Sequence, residues 1–129
     1  MSRVVVAFHS GYGHTRSVAQ AVKEGAASVP GVNAELLDVT QTSEAAWTAL
    51  AGADAIVFGS PTYMGGASAD FKKFADESAK VWFTHGWKNK IAGGFTCSLN
   101  MSGDKYSTLM YFVTLAMQHG MVWVGTGMM

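Results

Sequence analysis

Short apolar runs alternate along this chain with glycine- or serine-rich loops and longer amphipathic stretches. Val4-Val5-Val6-Ala7-Phe8 is apolar without alternation, the pattern of a parallel strand covered on both faces. From about Thr15 to Ser28, apolar residues such as Val18, Val22 and Ala26 recur at helical spacing, and Pro30-Gly31 ends the element. Ala34 to Val39 reads as a second strand, placed at a sheet edge by its acids Glu35 and Asp38. Ser43 to Leu50 is a short helix opened by a Ser43 cap. Ala55 to Phe58 is a third, buried strand, broken by Gly59-Ser60-Pro61. Ser68 to Lys80 is helical, with Phe71, Phe74 and Ala75 on one side. Ile91 to Thr96 forms a fourth strand, whose Gly93-Gly94 lets another element pack closely against it. A helix from Lys105 to His119 leads through Gly120 to a fifth strand, Met121 to Val124. Strand alternating with helix at this tempo predicts an α/β fold: a doubly wound parallel five-stranded sheet, order 2-1-3-4-5, with right-handed crossovers.

Two irregularities stand out. The helix over 105–119 is apolar nearly all round, with Leu109, Met110, Tyr111, Phe112, Val113, Leu115, Ala116 and Met117. One stripe can face the sheet; neighbouring loops crowding the rest and a subunit interface are both open readings. The second irregularity is the ending, just past the fifth strand. In this strand order the first helix covers one face near strands 1 and 2, and the other three cover the opposite face. A terminal helix is then missing, and strands 3 to 5 are expected to show Ile56, Phe58 or their neighbours to water. Either the chain is a truncated product or another chain covers that surface.

Composition narrows the class. At 129 residues the chain fits one domain spanning 1–129. Nine basic residues balance nine acidic ones, which argues against a nucleic-acid partner and against a polybasic membrane binder. With 49% apolar and 14% charged residues, there is material for a core and little for a disordered tail. The single cysteine, Cys97, excludes an internal disulfide and fits a reducing compartment. No apolar run is long enough for membrane insertion, and no signal-peptide cleavage region follows the N-terminus, so a cytoplasmic protein is expected.

Ligands of such sheets sit at the carboxyl ends of the strands, here the loops at 9–15, 59–68 and 97–104. The first reads His9-Ser10-Gly11-Tyr12-Gly13-His14-Thr15, between a strand and a helix. Its glycines let backbone N–H groups turn inward, Ser10, Tyr12 and Thr15 add hydroxyls, and the helix N-terminus adds its dipole. A phosphate is the natural guest, set against an ordinary glycine turn capped by Thr15. The loop lacks the Gly-Lys-Ser/Thr of a Walker loop and the third glycine of a dinucleotide fingerprint. It also lacks the acidic cluster of a receiver domain and the cysteine of a low-molecular-weight phosphatase. His9 and His14 are too close to the phosphate nest to suggest a metal pair, and no other His/Cys spacing does so, so no metal is expected. Cys97 reads as a buried small hydrophobe rather than a nucleophile.

Ser10-x-Tyr12-Gly13-x-Thr15 resembles the FMN-phosphate loop of flavodoxin-like proteins, and Gly59-Ser60-Pro61-Thr62-Tyr63-Met64-Gly65 resembles their flavin-ring loop. With Gln118-His119-Gly120-Met121-Val122, the likeness is closest to the tryptophan-repressor-binding-protein (WrbA) type of NAD(P)H:quinone oxidoreductase, and it covers essentially the whole chain. The resemblance implies a flavodoxin-like FMN-binding domain whose relatives continue past strand 5 to a terminal helix. It implies that Ser10, Gly11, Tyr12, Gly13, His14 and Thr15 hold the FMN phosphate. Pro61, Thr62, Tyr63, Met64 and Gly65 would line the isoalloxazine edge through backbone N–H groups, and Ser98, Asn100, Ser102 and Gly103 the pyrimidine and ribityl side. Trp82 and His119 match positions that line the pocket over the flavin; read from the residues alone, core packing for Trp82 and carbonyl capping for His119 remain equally open.

The activity so implied is two-electron transfer from NAD(P)H to a quinone by a ping-pong mechanism, with FMN doing the hard chemistry. His119 could donate a hydrogen bond to a quinone oxygen. The implied assembly is a homo-oligomer, a dimer or a tetramer with pockets at subunit junctions. Two alternatives are a flavodoxin-type one-electron carrier, which the neutral charge argues against, and an FMN-binding domain without turnover. No ribose-reading motif separates NADH from NADPH.

Overall fold

The computed structural model describes residues 1–128. Its elements are β1 (Ser2–Phe8), α1 (His14–Ala27), β2 (Val32–Asp38), α2 (Glu44–Ala51), β3 (Ala55–Tyr63), β4 (Gly66–Ala67), α3 (Ala69–Glu77), α4 (Ala79–Trp82), β5 (Ile91–Cys97), α5 (Lys105–Gln118) and β6 (Val122–Trp123). The main sheet runs β2-β1-β3-β5-β6 with every pair parallel. That is the expected doubly wound order, with acid-bearing β2 at an edge. The small strand β4, unforeseen in the sequence, folds back antiparallel on the end of β3. Ser43 caps α2 as expected, its side chain accepting the N–H of Ala46.

Strand β3 corrects one expectation. It does not break at Gly59-Ser60-Pro61 but pairs with β5 as far as Pro61↔Cys97. The reason lies in its other neighbour: β1 ends at Phe8, opposite Gly59. The Gly59 carbonyl still accepts the N–H of His9 on that side, and Pro61, two residues on, faces the same side beyond the end of β1. Its missing N–H therefore has no ladder partner to lose. The helix expected over 68–80 is also divided: Ser68 caps α3, and Ser78 separates α3 from the short α4.

The face carrying α2, α3 and α5 holds most of the core. Ile56, Phe58, Phe71, Phe74, Trp87 and Phe112 are buried there, with Phe71 and Phe112 rings 5.0 Å apart. Gly94 earns its place: a Cβ on it would meet Phe112 at 2.7 Å and Trp123 at 3.0 Å. Among the described residues the opposite face has only α1, whose Ala19 and Val22 pack with Val6, Phe8, Val57 and Phe95.

The residues on that sparser face differ from those expected. Ile56 and Phe58 are wholly buried under α5 and its neighbours. By strand alternation it is Val57, Phe95, Ile91 and Val122 that point the other way, and Ile91 and Val122 are about half exposed at 47% and 52%. Helix α5 buries Thr108, Phe112, Leu115 and Ala116, while Tyr106, Met110 and Met117 stay exposed, so neighbouring loops do not cover its outer side. Among the described residues, no helix is long and apolar enough to cross a membrane.

Candidate functional site

The three loops after β1, β3 and β5 meet at the carboxyl edge of the sheet around a cavity of about 530 Å3. The first loop contributes Gly11, Tyr12, His14 and Thr15, the second Pro61, Thr62 and Tyr63, and the third Cys97, Ser98 and Leu99.

The first loop is built to leave donors open. Gly13, the residue before α1, has φ +98°, a conformation side chains other than hydrogen rarely adopt. The Ser10 hydroxyl accepts the N–H groups of Gly13 and Arg16, both at 3.1 Å, and so fixes the turn and the start of the helix together. The N–H groups of Tyr12, His14 and Thr15 have no hydrogen-bond partner among the described residues. No acidic side chain stands in the first turn of α1. Arg16 turns away from the cavity, to Asp38 at 3.1 Å and over the Phe8 ring at 5.0 Å. A positively polarised helix end with unpartnered N–H groups and no carboxylate is the donor set a phosphate monoester needs. The residues present therefore fit the phosphate of FMN.

The second loop is the reverse case, with the hydroxyls of Ser60, Thr62 and Ser68 satisfied internally. Thr62 Oγ1 lies 2.8 Å from Thr96 Oγ1 and 2.9 Å from Thr108 Oγ1, tying β3 to β5 and α5. Thr96 in turn donates to the carbonyl of Ser60 at 2.6 Å. Ser60 Oγ accepts the N–H of Ser68 at 2.9 Å, and Ser68 Oγ accepts the N–H of Phe71 at 3.2 Å. Beyond this frame the chain turns through Met64 (φ +48°) and Gly65 (φ +80°), both in the left-handed region. Met64 stands fully exposed, and neither it nor Gly65, both expected along the flavin edge, is among the residues that line the cavity.

Sequence reasoning missed His9 as part of this frame. Its Nδ1 lies 2.7 Å from Ser68 Oγ and its Nε2 3.2 Å from Asp70 Oδ2. The contact order Asp70-His9-Ser68 is that of a nucleophilic triad. Yet Ser68 is 2% exposed, caps α3 and lines no cavity, so the constellation braces the second loop rather than attacking anything. The sequence signal was a histidine directly after a buried strand, at the end where the loops gather.

The third loop departs most from expectation. Of Ser98, Asn100, Ser102 and Gly103, only Ser98 lines the cavity. The Lys105 ammonium gathers the carbonyls of Asn100, Met101 and Ser102 at 2.7, 3.0 and 3.2 Å, curling the loop around itself. Ser98 Oγ also donates to the Asn100 carbonyl at 2.7 Å. Cys97 and Leu99 take the lining positions instead. Cys97 is thus half-buried and faces the cavity, where the sequence suggested a buried hydrophobe. Alternation along β5, two residues on from Phe95, could have found it.

Trp82 and His119 come together, but away from this cavity. Both line a separate hollow of about 250 Å3 between α3, α4 and α5, with Asp76 and Ser78. Ser78 Oγ donates to the Ala75 carbonyl at 2.6 Å, so it accepts from His119 Nε2 at 2.8 Å. His119 Nδ1 is then a bare acceptor, buried without a partner, beside the Trp87 ring at 4.3 Å. Burial pushes the His119 pKa below its ordinary 6.5 and keeps the ring neutral. The side chain caps no carbonyl; the residue ends α5 through its backbone N–H to Leu115. Among the described residues no group of three metal-ligating side chains occurs.

Comparison with known proteins gives a consistent picture. The family model described as "NADPH-dependent FMN reductase" matches residues 4–129. The chain is 48% identical over 129 residues to a Pseudomonas aeruginosa protein called Flavodoxin FldP, covering 99% of this chain and 68% of that one. It is 34% identical over 146 residues to an NAD(P)H dehydrogenase (quinone) of Trichlorobacter lovleyi, covering 97% of this chain and 72% of that one. Among solved structures, a flavodoxin, WrbA-like protein from Agrobacterium tumefaciens superposes with a TM-score of 0.89 at 52% identity, covering 98% of this chain and 79% of that one.

Proposed function

The chain belongs to the NADPH-dependent FMN reductase family, with the flavodoxin-like fold and FMN as cofactor, and we propose that it is an NAD(P)H:quinone oxidoreductase working by a ping-pong mechanism. The observation that carries this is the cavity at the sheet edge. It has unpartnered donors at one end, a braced loop along its side and an open apolar rim. Bound FMN supplies hydride acceptance from a nicotinamide and two-electron donation to a quinone.

The chain's own residues do the positioning. The N–H groups of Tyr12, His14 and Thr15, with the Thr15 hydroxyl, hold the phosphate. The backbone from Pro61 to Gly65, kept rigid by the Thr62–Thr96–Thr108 contacts, borders the flavin ring. Ser98 closes the third side. Tyr12 and Leu99, both strongly exposed, form a rim against which a flat aromatic partner can lie. A single open rim suits two substrates that visit in turn. Trp82 and His119 do not line this chain's own cavity; a homo-oligomer would bring the partly exposed Trp82 to a neighbouring subunit's flavin, with buried His119 behind it.

Steady-state rates with NADPH and a benzoquinone varied together test the mechanism. Parallel double-reciprocal lines are expected; intersecting lines would mean both substrates bind at once. A carrier reading is favoured by the name of the 48% identical relative. It requires that quinone reduction by NAD(P)H vanish unless a separate reductase is added.

A further inference from the structure

One side chain crosses the cavity. Tyr63, at the end of β3, lays its phenol against Gly11 of the first loop. A Cβ on Gly11 would lie 2.1 Å from the Tyr63 hydroxyl oxygen and 3.2 Å from the ring carbon that bears it. Gly11 is not among the residues of positive φ, so the backbone does not demand glycine there. The close approach of Tyr63 is what a side chain there would displace. The ring also meets Tyr12 edge-on, with centroids 6.4 Å apart. Tyr63 is thus held at the phosphate end, whereas the resemblance had it contribute only backbone at the flavin ring.

Its hydroxyl has no hydrogen-bond partner among the described residues. It stands beside the loop whose N–H groups at Tyr12, His14 and Thr15 are also unpartnered. Among the described residues no Lys or Arg side chain lines the cavity, so an anion there meets hydroxyl and backbone donors, the His14 side chain and the helix end. Burial, with Tyr12 as a lesser contributor, raises the Tyr63 pKa above its ordinary 10.0, so the phenol keeps its proton to donate.

The geometry points to Tyr63 as a phosphate-reading residue: its O–H donates to the FMN phosphate from the side of the cavity that faces the first loop, and so helps select FMN over riboflavin. This rests on the cofactor cavity assigned above, and it names which part of the flavin the second loop reads.

Fluorescence titration of apo-protein with FMN and, separately, with riboflavin tests it in wild type, Tyr63→Phe and Gly11→Ala. Tyr63→Phe keeps the ring and loses only the donor; FMN binding should weaken roughly 10- to 100-fold, the loss of one hydrogen bond to a charged group. Riboflavin binding should be unchanged. In Gly11→Ala the new methyl displaces the flexible end of Tyr63, so FMN should again weaken selectively. The double variant should lose less than the sum of the two, because both remove one contact. Equal weakening toward both flavins would assign Tyr63 to the ring and overturn the inference, as would unchanged FMN affinity in Tyr63→Phe. Neither titration involves nicotinamide or quinone. Protein that binds FMN but is inert to NAD(P)H would sink the proposed function and leave this result standing.

Discussion

The first and second loops face one cavity but are built on opposite plans. The loop over 9–15 uses one hydroxyl, Ser10, to fix its shape and leaves three consecutive-turn N–H groups unpartnered. The loop over 59–68 satisfies the hydroxyls of Ser60, Thr62 and Ser68 within the fold, leaves that of Tyr63 open, and is braced from outside by His9 and Asp70. The first binds through the donors it leaves open; the second shapes the cavity through its saturated hydroxyl frame and keeps one open donor, Tyr63. Substitutions in the hydroxyl frame of the second loop should therefore cost stability, whereas those in the first loop, and Tyr63 at the tip of the second, should cost cofactor affinity.

The largest effect should come from Ser68→Ala. It removes the α3 cap and leaves His9 Nδ1 without its buried partner, while the Ser60 hydroxyl keeps the Pro61 carbonyl. Urea unfolding should show a loss of about 3 kcal/mol; a loss below about 0.5 kcal/mol would mean the brace is ornamental. Next is Thr15→Ala, with the hydroxyl gone from the phosphate end of the cavity. FMN affinity should fall by about 1.5–3 kcal/mol while apo-protein stability shifts far less. The reverse outcome would exchange the roles of the two loops.

A smaller effect is expected from pH. The folded-state pKa of His119 is depressed by burial below the ordinary 6.5, so between the two values the unfolded chain binds the extra proton. Its contribution to stability is complete above pH 6.5 and declines as pH falls below it. Urea midpoints of His119→Asn should follow pH less steeply than wild type over that range, and an unchanged slope would remove His119 from the account. The smallest effect belongs to Arg16→Ala. Its partly exposed pair with Asp38 is worth at most about 1 kcal/mol. FMN titration should give an affinity close to wild type, because the guanidinium lies over Phe8 rather than in the cavity.

The first loop was legible in the sequence because its chemistry is local. A strand end, two glycines, hydroxyls and a helix start lie within seven residues and need no distant partner. The strand order was legible for a similar reason, since each apolar run and each crossover is set by its own periodicity. The course of β3 was not, because Gly59-Ser60-Pro61 carries every local sign of a break. Only the end of β1 at Phe8 leaves Pro61 without a ladder to disrupt. Asn100 and Ser102 were misplaced for want of Lys105, whose ammonium reaches back to their carbonyls. The resemblance set Trp82 and His119 over the flavin, yet the packing of α3 against α5 through Ser78 sets them in their own hollow. The Tyr63 contact with Gly11 joins residues that only the sheet brings together.

The central claim is that electrons enter and leave through one cavity in separate visits. Anaerobic stopped-flow of the FMN-loaded protein tests it most directly, first with NADPH or NADH and then with benzoquinone. Rapid bleaching of the yellow flavin by the nicotinamide alone, followed by full recovery of colour in one step on adding quinone, is the predicted result. Flavin that stays yellow under excess nicotinamide until quinone is present, or stays yellow throughout, would contradict it.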